Sequence, residues 1–299
     1  MIMFRPLDIF MTILAVILLV MLSSLSLTSE AVPEYRYHVC SNTTTFSPNS
    51  TCQSNLNDLL SSLTSNASGA DVNNGFYNTT AGRDLGTVVY GSFLCRGDVT
   101  VDMCQECVAT ANQKLVQKYC STEKVAVIWY DHCMIRYSNE SFFRKLDESL
   151  PILLVNTQDI TDPVRFNQLL TVTMNDTLTK AVSGAKKFAT KEASFTASQT
   201  LYSLVQCTPD LSSYDCYTCL GGFIARIPSW FYGKRGGNVL GRSCNIRYEV
   251  YPFYEFTAAP AQTPVLLPPT PVLLPPSLPQ GNVQEAHKHN SCMHDNLIL

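Results

Sequence analysis

The sequence predicts a protein of two tandem modules, each of which combines helices with β-strands. The first observation is a cysteine spacing, C-x8-C-x2-C, that occurs at residues 95–107 and again at residues 207–219, 112 positions later. The second is a further cysteine after each copy, inside nearly identical words: CMIRY at 133–137 and CNIRY at 244–248. The third is that helical and strand patterns follow one another in the same order in both halves. The sequence therefore indicates a duplicated fold that places its own cysteines.

The first helix of each module is predicted from apolar residues at helical spacing. Leu56, Leu59, Leu60 and Leu63 lie on one face of the segment 55–63. The segment 166–178 repeats this pattern, and Pro163 stands just before it, where the start of a helix tolerates proline. Each module therefore has a helix ahead of its cysteine triplet.

The remaining elements surround the cysteine triplets. Short strands at 88–95 and 200–207 lead into the triplets, and second helical stretches begin at Cys104 and Cys216. The segments 125–138 and 239–256 are rich in aromatic and β-branched residues, which is typical of strands. The order in each module is helix, short strand, helix, strands, over residues 33–143 and 151–256.

The N-terminal segment and the sequons predict export, and the C-terminal segment predicts a disordered tail. Arg5 precedes an apolar run from Phe10 to Leu22 and then small polar residues, the pattern of a signal peptide covering about residues 1–29. Residues 257–299 begin with a proline-rich linker and have no periodicity after it, so we expect disorder there. Six N-x-[ST] sequons are predicted glycosylation sites in an exported chain: Asn42, Asn49, Asn66, Asn78, Asn139 and Asn175.

Composition limits the classes of partner. The 299 residues are 45% hydrophobic and 15% charged, and the formal net charge is −3. No basic run exists, which argues against nucleic acid as a partner, since phosphate binding needs clustered Lys and Arg. We expect an extracellular protein or glycan ligand, with a membrane receptor among the protein candidates; the sequence leaves the oligomeric state open.

The cysteines admit three chemistries. Structural disulfides are favoured, because an exported chain with paired, repeated cysteines usually contains them. Zinc is disfavoured, since each module has one C-x2-C pair and no matching histidine. A catalytic thiolate is disfavoured too, because His132 and Cys133 are adjacent and neighbouring strand residues point to opposite faces. Spacing alone leaves fifteen possible pairings of six cysteines.

The triplets, the flanks YGSFLC and LYSLVQCTPDLSSYDC, and the ending CNIRYEVYPFY resemble plant DUF26 domains, also called Gnk2-homologous or stress-antifungal domains. The resemblance covers about residues 33–257. It implies an α+β fold with two tandem modules, each with two helices packed on a small antiparallel sheet. It also implies five disulfides: Cys95–Cys104, Cys107–Cys133 and Cys40–Cys120 in the first module, and Cys207–Cys216 and Cys219–Cys244 in the second.

The second module lacks the counterparts of Cys40 and Cys120, and Phe231 stands where the latter would fall. We expect an aromatic core to compensate, built from Phe223, Trp230, Phe231, Tyr248, Tyr251 and Phe253. Cys52 and Cys292 remain outside the implied pairs. A free or intermolecular thiol is the favoured interpretation of both, and a Cys52–Cys292 bridge is the alternative.

No catalytic motif is present, so the sequence predicts a protein that is not an enzyme and needs no cofactor or metal. The three histidines of the tail are interpreted as solvated rather than as ligands. The founding member of the resembled family binds mannose through Asn, Arg and Glu, and the matching positions here read Ser41, Val127 and Ser138 in the first module. The second module keeps Asn238 and Glu249, a weak carbohydrate-binding candidate. We otherwise expect Glu249 on a strand surface.

The sequence thus predicts a secreted, non-enzymatic apoplastic module that contacts proteins or carbohydrates in plant defence or stress signalling. Three alternatives stay open: the truncated ectodomain of a receptor-like kinase, an antifungal lectin, and a thiol redox sensor that uses Cys52.

Overall fold

The computed structural model describes residues 33–41, 43–69, 74–84 and 86–254. The predicted signal peptide, Asn42, Cys292, and the linker and tail from residue 255 onward lie outside the described residues.

The two modules share one topology. The first runs β1 (Tyr35–Cys40), α1 (Thr51–Asn66), β2 (Phe76–Ala81), β3 (Val89–Cys95), α2 (Val101–Lys114), β4 (Ala126–Tyr130) and β5 (Cys133–Ser138), and α2 continues as a π-helical turn, Leu115–Tyr119. The second runs β6 (Ile152–Val155), α3 (Pro163–Ser183), β7 (Phe188–Ser194), β8 (Thr200–Cys207), α4 (Ser213–Ile224), α5 (Ile227–Phe231), β9 (Gly237–Leu240) and β10 (Cys244–Glu249). Both sheets are antiparallel, in the orders β1-β4-β5-β3-β2 and β6-β9-β10-β8-β7. The α+β prediction is confirmed.

The helices begin where side chains cap them. Ser50, Thr100, Asp162 and Ser212 each accept a hydrogen bond from the backbone N–H three residues on, which satisfies one of the free donors of the first turn. Helix α1 buries the four leucines that predict it. The second helices start earlier than the cysteines suggest, three residues before Cys104 and Cys216 alike, because the caps lie there.

Two strand predictions were wrong. The order helix, short strand, helix, strands lacks both edge strands of each sheet, which are β1 and β2 in the first module and β6 and β7 in the second. In β1, Tyr35, Tyr37 and Val39 alternate with polar residues, a strand signal that the prediction missed. Residues 250–254 belong to no strand, although the pattern 239–256 suggests one. Pro252 explains the early end, because it has no N–H to donate to a neighbouring strand.

The segments CMIRY and CNIRY form strands whose alternate residues point to opposite faces of the sheet. Cysteine, isoleucine and tyrosine point into the module core, and Met134 or Asn245 and the arginine lie on the opposite face. Tyr137 donates to the carbonyl oxygens of Cys120 and Glu123 at 3.4 and 3.1 Å. Tyr248 makes the matching bonds to Phe231 and Lys234 at 3.4 and 3.3 Å. Burial raises the pKa of both phenols, so these donors stay protonated.

Five disulfides tie the helices to the sheets, and they are the pairs that the resemblance implies: Cys40–Cys120, Cys95–Cys104, Cys107–Cys133, Cys207–Cys216 and Cys219–Cys244. Cys52 is free, half-buried, and donates to the carbonyl oxygen of Gly86 at 3.3 Å.

The aromatic core of the second module is smaller than expected. Phe231 and Tyr248 are fully buried, and their ring centroids lie 6.1 Å apart. Phe223 and Trp230 pack against this core from its edge. The expectation for Tyr251 was wrong: it is 45% exposed because it lies beyond the end of β10. Phe253 also leaves the core, and lies at the boundary between the modules.

Candidate functional site

The two modules pack through the sheet faces that point away from their helices. Leu94, Val127, Trp129 and Met134 of the first module form one buried cluster with Leu240 of the second. Hydrogen bonds also cross the boundary. The indole Nε1 of Trp129 donates to the Gly241 carbonyl at 3.3 Å, and the amide Nε2 of Gln206 donates to the Cys95 carbonyl at 2.9 Å. The modules are therefore joined by apolar contact and by buried hydrogen bonds.

An ion-pair network holds the connecting segment against both modules. Asp147 accepts from the guanidinium of Arg136 at 2.6 Å and lies 3.7 Å from that of Arg242, which belongs to the second module. Its backbone N–H donates to the Ser243 hydroxyl at 2.9 Å. Burial alone would raise the pKa of Asp147, but hydrogen bonds from Ser149 and the two arginine charges outweigh burial and lower that pKa. Asp147 is therefore ionised at neutral pH and links the modules.

A cleft opens beside this boundary, and equivalent positions of the two modules line it with different chemistry. Leu94 and Met134 line it from the first module and are apolar, and Val127 is buried beside them in the boundary. Their counterparts in the second module are three amides, Gln206, Asn238 and Asn245; the strand register confirms the equivalence, because Val127 pairs with Arg136 as Asn238 pairs with Arg247. The cleft wall contributed by the second module is thus polar where the first is apolar.

The two arginines at the cleft are already paired with internal partners. Arg96 makes a two-pronged contact with Asp98 at 2.7 and 2.8 Å and donates to the Asp131 carbonyl at 3.1 Å. Arg247 donates to Glu249 at 3.2 and 3.3 Å and lies over the ring of Phe253, 4.2 Å from its centroid. Neither arginine therefore offers a free charge, whereas the Asp131 carboxylate, which accepts from the Glu34 N–H at 2.9 Å, is the acidic group of the first-module wall.

Two polar side chains of the cleft keep their hydrogen-bonding capacity. The amides of Asn238 and Asn245 both line the cleft, and neither makes a hydrogen bond with another residue of the described part. An amide offers two donors and one acceptor with two lone pairs. The cleft can therefore present unpaired donors and acceptors to an uncharged polar group.

The structure separates the two members of the carbohydrate-binding candidate. Asn238 lines the cleft, whereas Glu249 is 7% exposed and is bound by Arg247 and by the Asn156 amide at 3.4 Å. The expectation that Glu249 lies on a strand surface was therefore wrong. Arg247, which pairs in register with Asn238 and donates to Glu249, was missed by sequence reasoning, although residues i and i+2 of a strand share one face and the spacing could have indicated the pair. Val127 is buried in the boundary, where it contacts no solvent.

The predicted glycosylation positions that the structure describes all retain some exposure. Asn49 and Asn175 are exposed, and Asn66, Asn78 and Asn139 are half-buried. Among residues 33–41, 43–69, 74–84 and 86–254, no group of three or more His, Cys, Asp or Glu side chains is arranged to hold a metal ion. The same part of the chain contains no helix that is long and apolar enough to span a bilayer.

Two disulfide-bonded α+β modules that pack through their sheets define a class, the tandem cysteine-rich module. This chain belongs to the salt stress response/antifungal family: the family model matches residues 39–140 and 155–251, one match in each module.

The relatives fall into two kinds. Cysteine-rich receptor-like protein kinase 25 of Arabidopsis thaliana is 47% identical over 242 residues, which make up 80% of this chain and 35% of that kinase. The antimicrobial ginkbilobin-2-like protein of Castanea crenata is 37% identical over 235 residues, 79% of this chain and 95% of that protein. The chain thus spans about a third of the length of the receptor kinase and nearly the whole of the antimicrobial protein.

The fold has a counterpart among solved structures. The tandem DUF26 ectodomain of the Arabidopsis thaliana cysteine-rich receptor-like protein PDLP8 superposes with a TM-score of 0.62 at 22% identity, over 73% of this chain and 98% of that one. At this identity the likeness concerns the fold.

Proposed function

We propose that this protein is a secreted, non-enzymatic recognition module of plant defence or stress signalling that binds an extracellular protein or glycan at the cleft between its modules. The observation that carries the proposal is the pair of unpartnered amides, Asn238 and Asn245, on the second-module wall of the cleft, where the one arginine, Arg247, is paired with Glu249. The affiliation to a salt stress response/antifungal family supports the biological setting.

The chemistry of the cleft favours uncharged polar groups. Its two arginines are committed to carboxylates of the same module, so a phosphate or carboxylate would have to displace an existing pair. Free amides can donate to and accept from hydroxyls and peptide groups without such displacement. A ligand hydroxyl or peptide group therefore fits better than an ionic one.

The test exploits the difference between the modules. Asn238→Val with Asn245→Met gives the second wall the residues of the first, Val127 and Met134. The tagged mature chain and this variant are used to recover partners from apoplastic fluid and to probe a glycan array. We expect a ligand of the wild type whose retention falls at least tenfold in the variant. Ser198→Ala, an exposed change in the β7–β8 turn, is the control and should bind as the wild type. Identical partners for all three proteins would contradict the cleft as the binding site.

A second candidate function is direct antimicrobial action, and the chestnut relative favours it, because this chain covers 95% of that protein. A fungal growth assay with the purified mature chain separates the two. Inhibition without any recovered plant partner supports the antimicrobial function, and the absence of inhibition removes it.

A further inference from the structure

A groove on the first module lies far from the interdomain cleft, between helices α1 and α2. It has a volume of about 640 Å³ and follows α1 from Asn57 to the end of the helix at Asn66, about 14 Å, with Ser68 of the following turn at its end. Its walls are the solvent-facing stripes of the two helices, in which residues recur at three- and four-residue spacing. These walls consist largely of amide and hydroxyl side chains: Asn57, Ser61, Thr64, Gln105, Gln113 and Gln117.

The floor of the groove contains an incompletely satisfied polar group. Asn112 is only 5% exposed, and its Nδ2 donates to the Leu60 carbonyl at 3.0 Å and to the Thr64 hydroxyl at 2.7 Å. Its Oδ1 is buried and accepts no hydrogen bond from any described residue. A buried acceptor without a partner destabilises the folded protein, because it has lost its hydrogen bond to water. A donor that enters the groove floor would relieve this penalty.

The walls specify the chemistry of that donor. No residue lining the groove carries a charge. The side chains of Asn57, Gln105 and Gln113 make no hydrogen bond within the described part of the chain, so their donors and acceptors are available. Uncharged walls give no anchor to a phosphate, a carboxylate or a metal ion. They match a neutral molecule that carries hydroxyls along its length.

The second module does not preserve this chemistry. At the equivalent positions of α4, Tyr217 replaces Gln105 and the buried Ile224 replaces Asn112. Ala225 replaces Gln113. The equivalent positions of the two modules therefore carry polar residues in the first and less polar residues in the second. Because the second module folds with Ile224 in place of Asn112, the fold does not require Asn112.

The groove is also clear of the predicted glycans of its own helix. Asn66, the sequon of α1, is two residues beyond Thr64 and so lies about 200° around the helix from it. A glycan on Asn66 would extend from the opposite flank of α1 and leave the groove open.

We propose that the α1–α2 groove of the first module binds a segment of a neutral, hydroxyl-rich glycan, with a ligand hydroxyl donating to Oδ1 of Asn112. This site is separate from the cleft and goes beyond the proposed function. The groove proposal and the cleft proposal can therefore be contradicted independently of each other.

The test is a calorimetric titration of the mature chain with neutral oligosaccharides, namely β-glucan, xylan, mannan and chitin fragments, and with oligogalacturonide as the charged probe. Gln105→Tyr with Gln113→Ala installs the residues of the second module at exposed positions, where folding is least affected. We expect at least one neutral fragment to bind the wild type and to bind this variant at least tenfold more weakly.

Ser198→Ala, the exposed change in the β7–β8 turn of the second module, serves as the control and should bind the fragment as the wild type does. Asn112→Ile is the second variant, with its melting temperature measured to confirm folding, and should also lose binding. The proposal is overturned if no neutral fragment binds, if only the charged probe binds, or if the groove variant binds like the wild type. Loss of a protein partner in the groove variant, without any glycan binding, would assign the groove to a peptide instead.

Discussion

The indole Nε1 of Trp129 donates to the carbonyl oxygen of Gly241, 3.3 Å away in the other module. Leu240, the residue before Gly241, occupies the place in β9 that Trp129 occupies in β4: Trp129 pairs with Met134 of CMIRY, and Leu240 pairs with Asn245 of CNIRY. Equivalent strands of the two modules therefore meet at the boundary, and the larger side chain comes from the first.

Truncating Trp129 should destabilise the protein through this boundary. Trp129→Ala removes a buried aromatic side chain and should lower the free energy of unfolding by about 3–5 kcal/mol. Trp129→Phe keeps most of the apolar contact but loses the hydrogen bond, and should lower it by about 1 kcal/mol. Urea unfolding followed by circular dichroism measures both. A loss below about 1 kcal/mol for the alanine variant would mean that the boundary contributes little to stability.

Gly97 is predicted to be intolerant of a side chain because of its neighbour in the other module. A Cβ at Gly97 would lie 2.3 Å from the ring of Phe188, so Gly97→Ala forces the boundary to move and should lower the melting temperature. Gly222→Ala is the matched control: nothing lies within 4 Å of its Cβ, and in helix α4 alanine should leave stability unchanged or raise it slightly. Equal melting temperatures for the two variants would show that the modules do not pack at this contact.

The Cys40–Cys120 disulfide should contribute more to stability than Cys95–Cys104. The first closes a loop of 80 residues and the second a loop of 9, so the chain-entropy model assigns them about 4.5 and 2.6 kcal/mol. Double replacement by alanine, pair by pair, followed by urea unfolding, measures the difference. The reverse order would show that enthalpy or residual structure, and not loop closure, dominates.

Asp147 should make stability depend on acid pH. Its pKa in the folded protein lies below the ordinary value of 3.8, so the folded state favours the ionised carboxylate. That contribution is fully present above the unfolded pKa and is lost as the pH falls through the folded pKa. Asp147→Asn should therefore melt at a lower temperature than the wild type at pH 7, and the difference should shrink below about pH 4. A constant difference from pH 7 to pH 2.5 would contradict the ion pair as its cause.

The redox hypothesis rests on Cys52. This thiol is half-buried, donates to a backbone carbonyl, and lies in a small pocket with Phe46 and Tyr137. We expect a maleimide to label it slowly in the native protein and rapidly in urea, whereas the ten disulfide cysteines stay unlabelled without a reductant. Mass spectrometry of peptides gives the extent of labelling, and Cys52→Ser is the control. If Cys52 stays unlabelled even in urea, it is not a free thiol and the sensor hypothesis ends.

Much of the fold could be predicted from the sequence because its determinants are local. Leucines at helical spacing predict α1, and the words CMIRY and CNIRY alternate between core and boundary as strands do. Strands β1, β2, β6 and β7 escaped prediction; all four lie at the edges of their sheets, where a strand depends on pairing with one neighbour. The start of α2 at Val101 depends on its Thr100 cap, which the cysteine pattern does not reveal.

The candidate sites were less predictable, because they depend on which faces meet. The sequence by itself determined the duplication, the class of each module and the residues available for disulfides, since spacing and periodicity are properties of the chain. Only the tertiary structure decided that Glu249 is buried with Arg247, that Asn238 faces a cleft, and that Asn112 retains a free acceptor. The burial of a side chain depends on which faces pack together, and the linear order of the residues does not specify that packing.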